Sequence, residues 1–246
     1  MGSLLSSAAE GLDDLLYPHR CVLCDLPGQV LCEDCEADLD FIDQHEACPR
    51  CGAPHGRMVC TECARMMQAG ESFSFTAARA AGSFDAAFSR IATAYKDQGE
   101  RALALPIARL LAAAAGPDWR EWADAVTFVP ASADAYLRRG FDHMEDVAKH
   151  FARLCRLPLV DVLVRDRRKV ADQRSLSRDD RRLNASAAFR IPNDATVRQR
   201  LDGIIGKHVI LIDDVFTTGA TLDSAAQVLL DRGVCEVRVC VLARVW

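Results

Sequence analysis

Half of the 246 residues are hydrophobic, 26% are charged and the formal net charge is −5, a balance that excludes full disorder and fibrous repeats and allows a real core. No apolar run reaches the 18 or so residues that a membrane span needs; the richest stretch, Ala102 to Gly116, is interrupted by Arg109. The charge is divided unevenly, with three arginines against twelve acids in residues 1 to 64, a formal −9, and 27 basic against 23 acidic groups in the remainder.

Residues 1 to 17 read as an amphipathic N-terminal helix, because Asp13 and Asp14 fall within an apolar pattern and the basic n-region of a secretory signal is missing. The expected location is cytoplasmic, with reduced thiols. Residues 18 to 68 hold four knuckles, Cys21-x-x-Cys24, Cys32-x-x-Cys35, Cys48-x-x-Cys51 and Cys60-x-x-Cys63. Two knuckles supply the four sulfurs of a closed tetrahedral shell, so the module is expected to hold two structural Zn²⁺. Sequence leaves open whether consecutive or interleaved knuckles share a metal; loops of seven and eight residues within consecutive pairs favour that pairing. With both metals bound the head would carry about −13, since each four-thiolate site adds a net −2. Such a surface repels phosphate backbones, which points to a structural or protein-facing role.

Residues 72 to 246 read as an α/β body with a mostly parallel central sheet and flanking helices. Arg79 to Gly82 marks its start, and a helical run from Phe84 ends at Tyr95-Lys96, with helices on both sides of Gly99. A strand from Ala125 to Val129 delivers a loop at Pro130, and Arg138-Arg139-Gly140-Phe141 follows. After a strand-like Val162-Leu163-Val164, the segment from Arg165 to Arg182 holds eight basic and four acidic side chains. It reads as an exposed arm, facing either solvent, a phosphate or a single strand of nucleic acid.

Val209 to Ile212 is a β-branched run suited to a buried parallel strand. It leads into Asp213-Asp214-Val215-Phe216-Thr217-Thr218-Gly219-Ala220-Thr221, a helical pattern through Leu230, Gly233, and a second strand from Val237 to Leu242. A loop between strand and helix lies where open α/β sheets bind ligands. Hydroxyls of Thr217, Thr218 and Thr221, the permissive Gly219, the Ala220 amide and the helix dipole suit a phosphate. The adjacent carboxylates of Asp213 and Asp214 suit neutral hydroxyls or a metal-bound ligand, and a phosphorylated sugar satisfies both halves. A Walker-type loop is excluded, because no Gly-Lys-Ser/Thr follows.

Ile210 to Thr221 resembles the phosphoribosyl pyrophosphate (PRPP) motif of type I phosphoribosyltransferases. That resemblance implies Asp213 and Asp214 on the ribose hydroxyls, Thr217 to Thr221 around the 5'-phosphate, and Mg²⁺ with the pyrophosphate. Thr217 stands where the hypoxanthine and guanine enzymes carry an aspartate. The whole chain, four knuckles before such a body, resembles the ComF family of competence proteins. Supporting segments are Tyr95 to Gly99, Val129-Pro130, Arg138 to Phe141, and the spaced Gln173, Leu176, Arg181, Asn184 and Phe189. The resemblance implies PRPP contacts from Lys96 and Arg138 as well. The family usually follows Arg-Gly-Phe with Asn-Gln; this chain has Asp142-His143.

Three functional classes follow. The first is a phosphoribosyltransferase acting on an unidentified acceptor. The second is a competence accessory that uses the same pocket while handling single-stranded DNA through residues 165 to 182, as the ComF resemblance implies. The third is a zinc-ribbon regulator that engages protein partners through the cysteine module, and the intact phosphate loop disfavours it.

Overall fold

The computed structural model describes residues 19–54, 56–165 and 188–246. The expected N-terminal helix over residues 1 to 17 and the basic arm beyond Arg165 lie outside the described residues, as do Gln173, Leu176, Arg181 and Asn184. The zinc module contributes two helices that each begin at a cysteine, α1 (Glu33–Ala37) and α2 (Thr61–Gln68). The body continues with β1 (Ala77–Ser83), α3 (Ala86–Lys96), α4 (Ala104–Trp122), β2 (Ala125–Phe128), α5 (Ala133–Arg139) and α6 (His143–Cys155). It ends with β3 (Val164–Arg165), β4 (Phe189–Arg190), α7 (Ala195–Asp202), β5 (His208–Phe216), α8 (Ala220–Leu230) and β6 (Glu236–Arg244).

Four of the strands form a parallel sheet in the order β1-β6-β5-β2. Parallel sheets need cover on both faces, and alternation along each strand supplies apolar groups to both. Ile210 and Ile212 of β5 join Phe88, Leu111, Val147 and Phe151 of the helical layer α3, α4 and α6. Val209 and Leu211 point the other way, to Leu222 and Leu229 of α8. The β5 strand runs on through Asp213, Asp214 and Phe216, further than its apolar run alone suggests, because Asp213 stays in register with Val241. The Val162–Val164 run becomes only the two-residue β3, paired antiparallel with β4. Gly116, at φ 67°, kinks α4 ahead of Pro117, and Arg79 braces the kink through the Ala115 carbonyl at 2.6 Å and both carboxylate oxygens of Asp118 at 2.9 and 2.8 Å. Among the described residues no helix is long and apolar enough to cross a membrane.

The cysteine module is seated on the body. Residues 41 and 42 run along the outer edge of β1, with an antiparallel bridge between Phe41 and Gly82 and a hydrogen bond from the Ile42 amide to the Ala81 carbonyl at 3.0 Å. The first knuckle pair, through Cys21, Leu31 and Leu39, packs into the helical face, whereas the second, through Cys48, Cys51, Cys60 and Cys63, packs into the α8 face. The module therefore straddles the sheet edge and covers backbone groups that would otherwise template further strand pairing. The sequence reading set boundaries at 68 and 72; the structure adds that the two parts share both cores.

Candidate functional site

The cysteines fall into two consecutive sets, Cys21, Cys24, Cys32, Cys35 and Cys48, Cys51, Cys60, Cys63, with the sulfurs of each set within 4.8 Å of one another. A tetrahedron of sulfurs about 2.3 Å from zinc has edges of about 3.8 Å, and the Cys24–Cys32 and Cys51–Cys60 separations are 3.7 and 3.5 Å. The backbone amides of Cys32 and Cys60 point at the sulfurs of Cys21 and Cys48 at 3.5 and 3.3 Å, as thiolate ligands require. A hydrogen bond from Cys51, aided against burial by backbone amides, draws the Cys48 thiol down to about 4. Both sets fit structural zinc, the second one fully buried, and neither leaves a position open for chemistry. All eleven cysteines are free of disulfides.

At the carboxyl end of β5, the Asp213 Oδ1 accepts the Asp214 amide at 2.9 Å and the Asp214 Oδ1 accepts the Val215 amide at 2.8 Å. The second oxygen of Asp214 receives Lys96 Nζ from the last turn of α3 at 2.5 Å and faces His143 Nε2, from the first turn of α6, at 3.2 Å. Burial and the charge of Asp214 push the Asp213 carboxyl well above its ordinary range. Burial also opposes ionisation of Asp214, yet the hydrogen bond from His143 and the charge of Lys96 outweigh it and hold that carboxyl well below the usual range. Within the pair, Asp213 is thereby biased toward its neutral form and Asp214 toward its ionised form. His143 is buried; among the described residues its Nδ1 has no hydrogen-bond partner, with Asp142 Oδ1 3.8 Å away. Its backbone carbonyl accepts the Tyr95 hydroxyl at 2.5 Å, so the residue before Lys96 holds the helix that delivers His143.

Asp142 caps α6 through the Met144 amide at 2.9 Å and also accepts the Ala131 amide at 2.7 Å, tying the Pro130 loop to the same corner. Arg165 closes that loop from the other side, donating to the Pro130 carbonyl at 2.8 Å. After Phe216 the chain turns through the exposed Thr217 and Thr218 to Gly219, at φ 81°, and starts α8 at Ala220. A side chain at Gly219 would sit 2.7 Å from ring atoms of both Phe216 and Phe73, so a positive φ and close packing together require glycine there. Thr221 lies half-buried in the first turn of α8. Lys96 is brought to the acid pair, while Arg138 is exposed on α5 with no hydrogen bond or ion pair among the described residues. Its neighbour Arg139 pairs with Asp97 at 3.0 Å. The contact of His143 with Asp214, 71 positions away, carries no local signal in the sequence.

A parallel sheet whose strand end presents an acid pair ahead of a threonine-glycine loop belongs to a phosphoribosyl transferase domain, and the family so described matches residues 135–245. A second family, described as double zinc ribbon domain, matches residues 12–72. The chain is 26% identical to "Competence protein ComFC" of Streptococcus pneumoniae over 87% of each chain. It is 25% identical to "DNA utilization protein YhgH" of Escherichia coli (strain K12) over 94% of this chain and 99% of the relative. It is 32% identical to "Competence protein F" of Haemophilus influenzae over 49% of this chain and 50% of that one. In its zinc ribbon, its transferase domain and relatives along most of its length, this chain is similar to the ComF competence proteins.

Proposed function

We propose that the chain binds PRPP with Mg²⁺ at the carboxyl end of β5, where Lys96 of α3 and His143 of α6 meet Asp214. The observation that carries this reading is the acid pair at the end of β5, with Lys96 and His143 on Asp214, directly ahead of a tight turn shaped by Gly219. Such a pair offers oxygens to the ribose hydroxyls. The amides and hydroxyls of Thr217, Thr218, Gly219, Ala220 and Thr221, at the positive end of α8, would hold the 5'-phosphate. Lys96 would exchange Asp214 for the pyrophosphate, with Arg138 joining from α5. Mg²⁺ favours oxygen ligands and keeps several waters; the carboxylates of Asp213 and Asp214 suit it as outer or direct ligands, and it would neutralise the pyrophosphate. The chain's own residues orient the sugar and hold the ionised Asp214 in place. Reduced cysteine ribbons support a cytoplasmic setting.

Titration with PRPP and Mg²⁺ tests the reading. Replacing both Asp213 and Asp214 with Asn, which removes the carboxylate charge and keeps the shape, is expected to weaken PRPP binding by about a hundredfold, since hydrogen bonds to charged groups contribute about 1.5–3 kcal/mol each. Unchanged affinity in the folded double variant would refute it. Pyrophosphate release over a panel of bases and DNA would then decide between turnover and binding alone.

A role in DNA uptake is supported by the competence relatives and by Arg165, which begins the basic stretch and donates to the Pro130 carbonyl. Single strands should contact the body, because the head is acidic. Binding is expected to weaken with salt at a log-log slope of roughly −0.7 per phosphate neutralised. Substitution of Arg167, Arg168 and Lys169 with Ala should flatten that slope, and an unaltered slope would remove the segment from the DNA path.

A further inference from the structure

Arg244, the last residue of β6, is 3% exposed and contacts two regions at once. Its Nε donates to the Cys51 carbonyl at 3.2 Å, and Cys51 belongs to the second four-sulfur set. Its Nη1 donates to the carbonyls of Phe216 at 3.2 Å and Thr217 at 2.8 Å, the two residues that open the phosphate loop, and also to Val245. The guanidinium lies over the Phe216 ring at 4.3 Å, the ring that packs beneath Gly219. The Glu62 carboxylate lies 3.6 Å from its Nη2 on an exposed side chain in α2, again beside the second set.

A buried guanidinium is costly without a compensating charge. Here the surroundings are carbonyl dipoles, a solvent-screened glutamate and the second cysteine set, whose four thiolates with zinc carry a net −2. Loss of the metal would free Cys51 from the four-sulfur set and, with it, the carbonyl that Arg244 holds. We propose that Arg244 is a positioning residue that couples zinc in the second ribbon to the shape of the phosphate loop. With zinc bound, the guanidinium is held against the Cys51 carbonyl and fixes the carbonyls of Phe216 and Thr217, so the amides after them face the ligand. Without zinc the Cys51 carbonyl is no longer held in place, and the loop loses its anchor. Among the described residues, the first ribbon, on the other face of the sheet, has no such link. This deepens the PRPP reading and rests on it for the ligand alone.

The experiment compares the full-length, zinc-loaded chain with Arg244→Lys, which keeps the charge but cannot fork to Cys51 and the loop together. Metal analysis should return two zinc ions for both proteins. Amide hydrogen exchange at residues 217 to 221 is expected to be roughly tenfold faster in the variant and PRPP affinity roughly tenfold lower, within the usual range of coupling between sites. Exchange within β5 and the rest of β6 should stay as in the parent. Equal loop exchange in the two proteins, or exchange faster throughout β5 and β6, would overturn the coupling, since the latter marks a merely structural residue. If the variant does not fold, the parent chain decides. Coupling is reciprocal, so saturating PRPP should slow zinc release from the second site to a chromogenic chelator and leave the first unchanged; equal rates at both sites would overturn it. A parent chain that binds no PRPP refutes the ligand reading, and the exchange comparison still decides the role of Arg244.

Discussion

Chelation of the zinc is expected to lower the melting temperature of the whole chain by roughly 10 °C or more, about 3 kcal/mol at this size. Structural zinc sites bind with about 10–16 kcal/mol each, and that free energy is folding free energy. Were the ribbons an independent bead, its loss would unfold residues 18 to 68 and spare the body. Instead Leu31 and Leu39 sit in the helical core and Ile42, Cys48 and Cys60 in the α8 core, so an unfolded head withdraws apolar cover from both faces of β1. Thermal melts by circular dichroism, with two zinc ions per chain counted beforehand, check this. A body transition unmoved by chelation would show that the shared cores contribute little.

Gly82→Ala carries the next largest effect, a loss of about 3 kcal/mol. A Cβ there would lie 2.0 Å from Cε2 and 2.3 Å from Cζ of Phe88. Phe88 is fully buried, and Phe41 meets its ring edge-on at 6.3 Å between centroids. The ring has nowhere to retreat, and overpacking of this kind costs about 1–3 kcal/mol, occasionally more. Pairing Gly82→Ala with Phe88→Leu should cost less than the two separate losses combined, because the smaller side chain vacates the space. Urea denaturation of the four proteins measures the cycle. A single-variant cost under about 0.5 kcal/mol, the range of ordinary surface changes, would mean that the packing at Gly82 is looser than described.

The parts of this molecule legible in the chain are those whose physics is local. Four Cys-x-x-Cys knuckles declare their metal chemistry, because the chelate bite is set by neighbours. The β-branched Val209 to Ile212 followed by Thr217-Thr218-Gly219-Ala220-Thr221 declares a strand, an anion loop and a helix start. Long-range pairings leave no such trace. Nothing near Phe41 and Ile42 signals that they would lie along β1, and nothing near His143 signals Asp214. Arg244, after the apolar run of β6, reads as a strand-end charge at the surface, yet it is buried beneath the second ribbon. The end of β5 was hidden for the same reason: Asp213 and Asp214 resemble loop residues, and pairing with β6 keeps them in the sheet.

The topology has a consequence for the order in which the molecule is made. β6 fills the middle of the sheet, between β1 and β5, and comes after every other described element in the sequence. On the ribosome the cysteine knuckles emerge first and can take up metal early, but the sheet that seats them cannot close until residues 236 to 244 have left the exit tunnel. Until then the apolar undersides of the ribbons and the inner edges of β1 and β5 have no native partner, and non-local closure of this kind is slow and prone to misassembly. A nascent chain stalled short of Glu236 would therefore hold its zinc without its fold, and the same final strand delivers Arg244 to the phosphate loop.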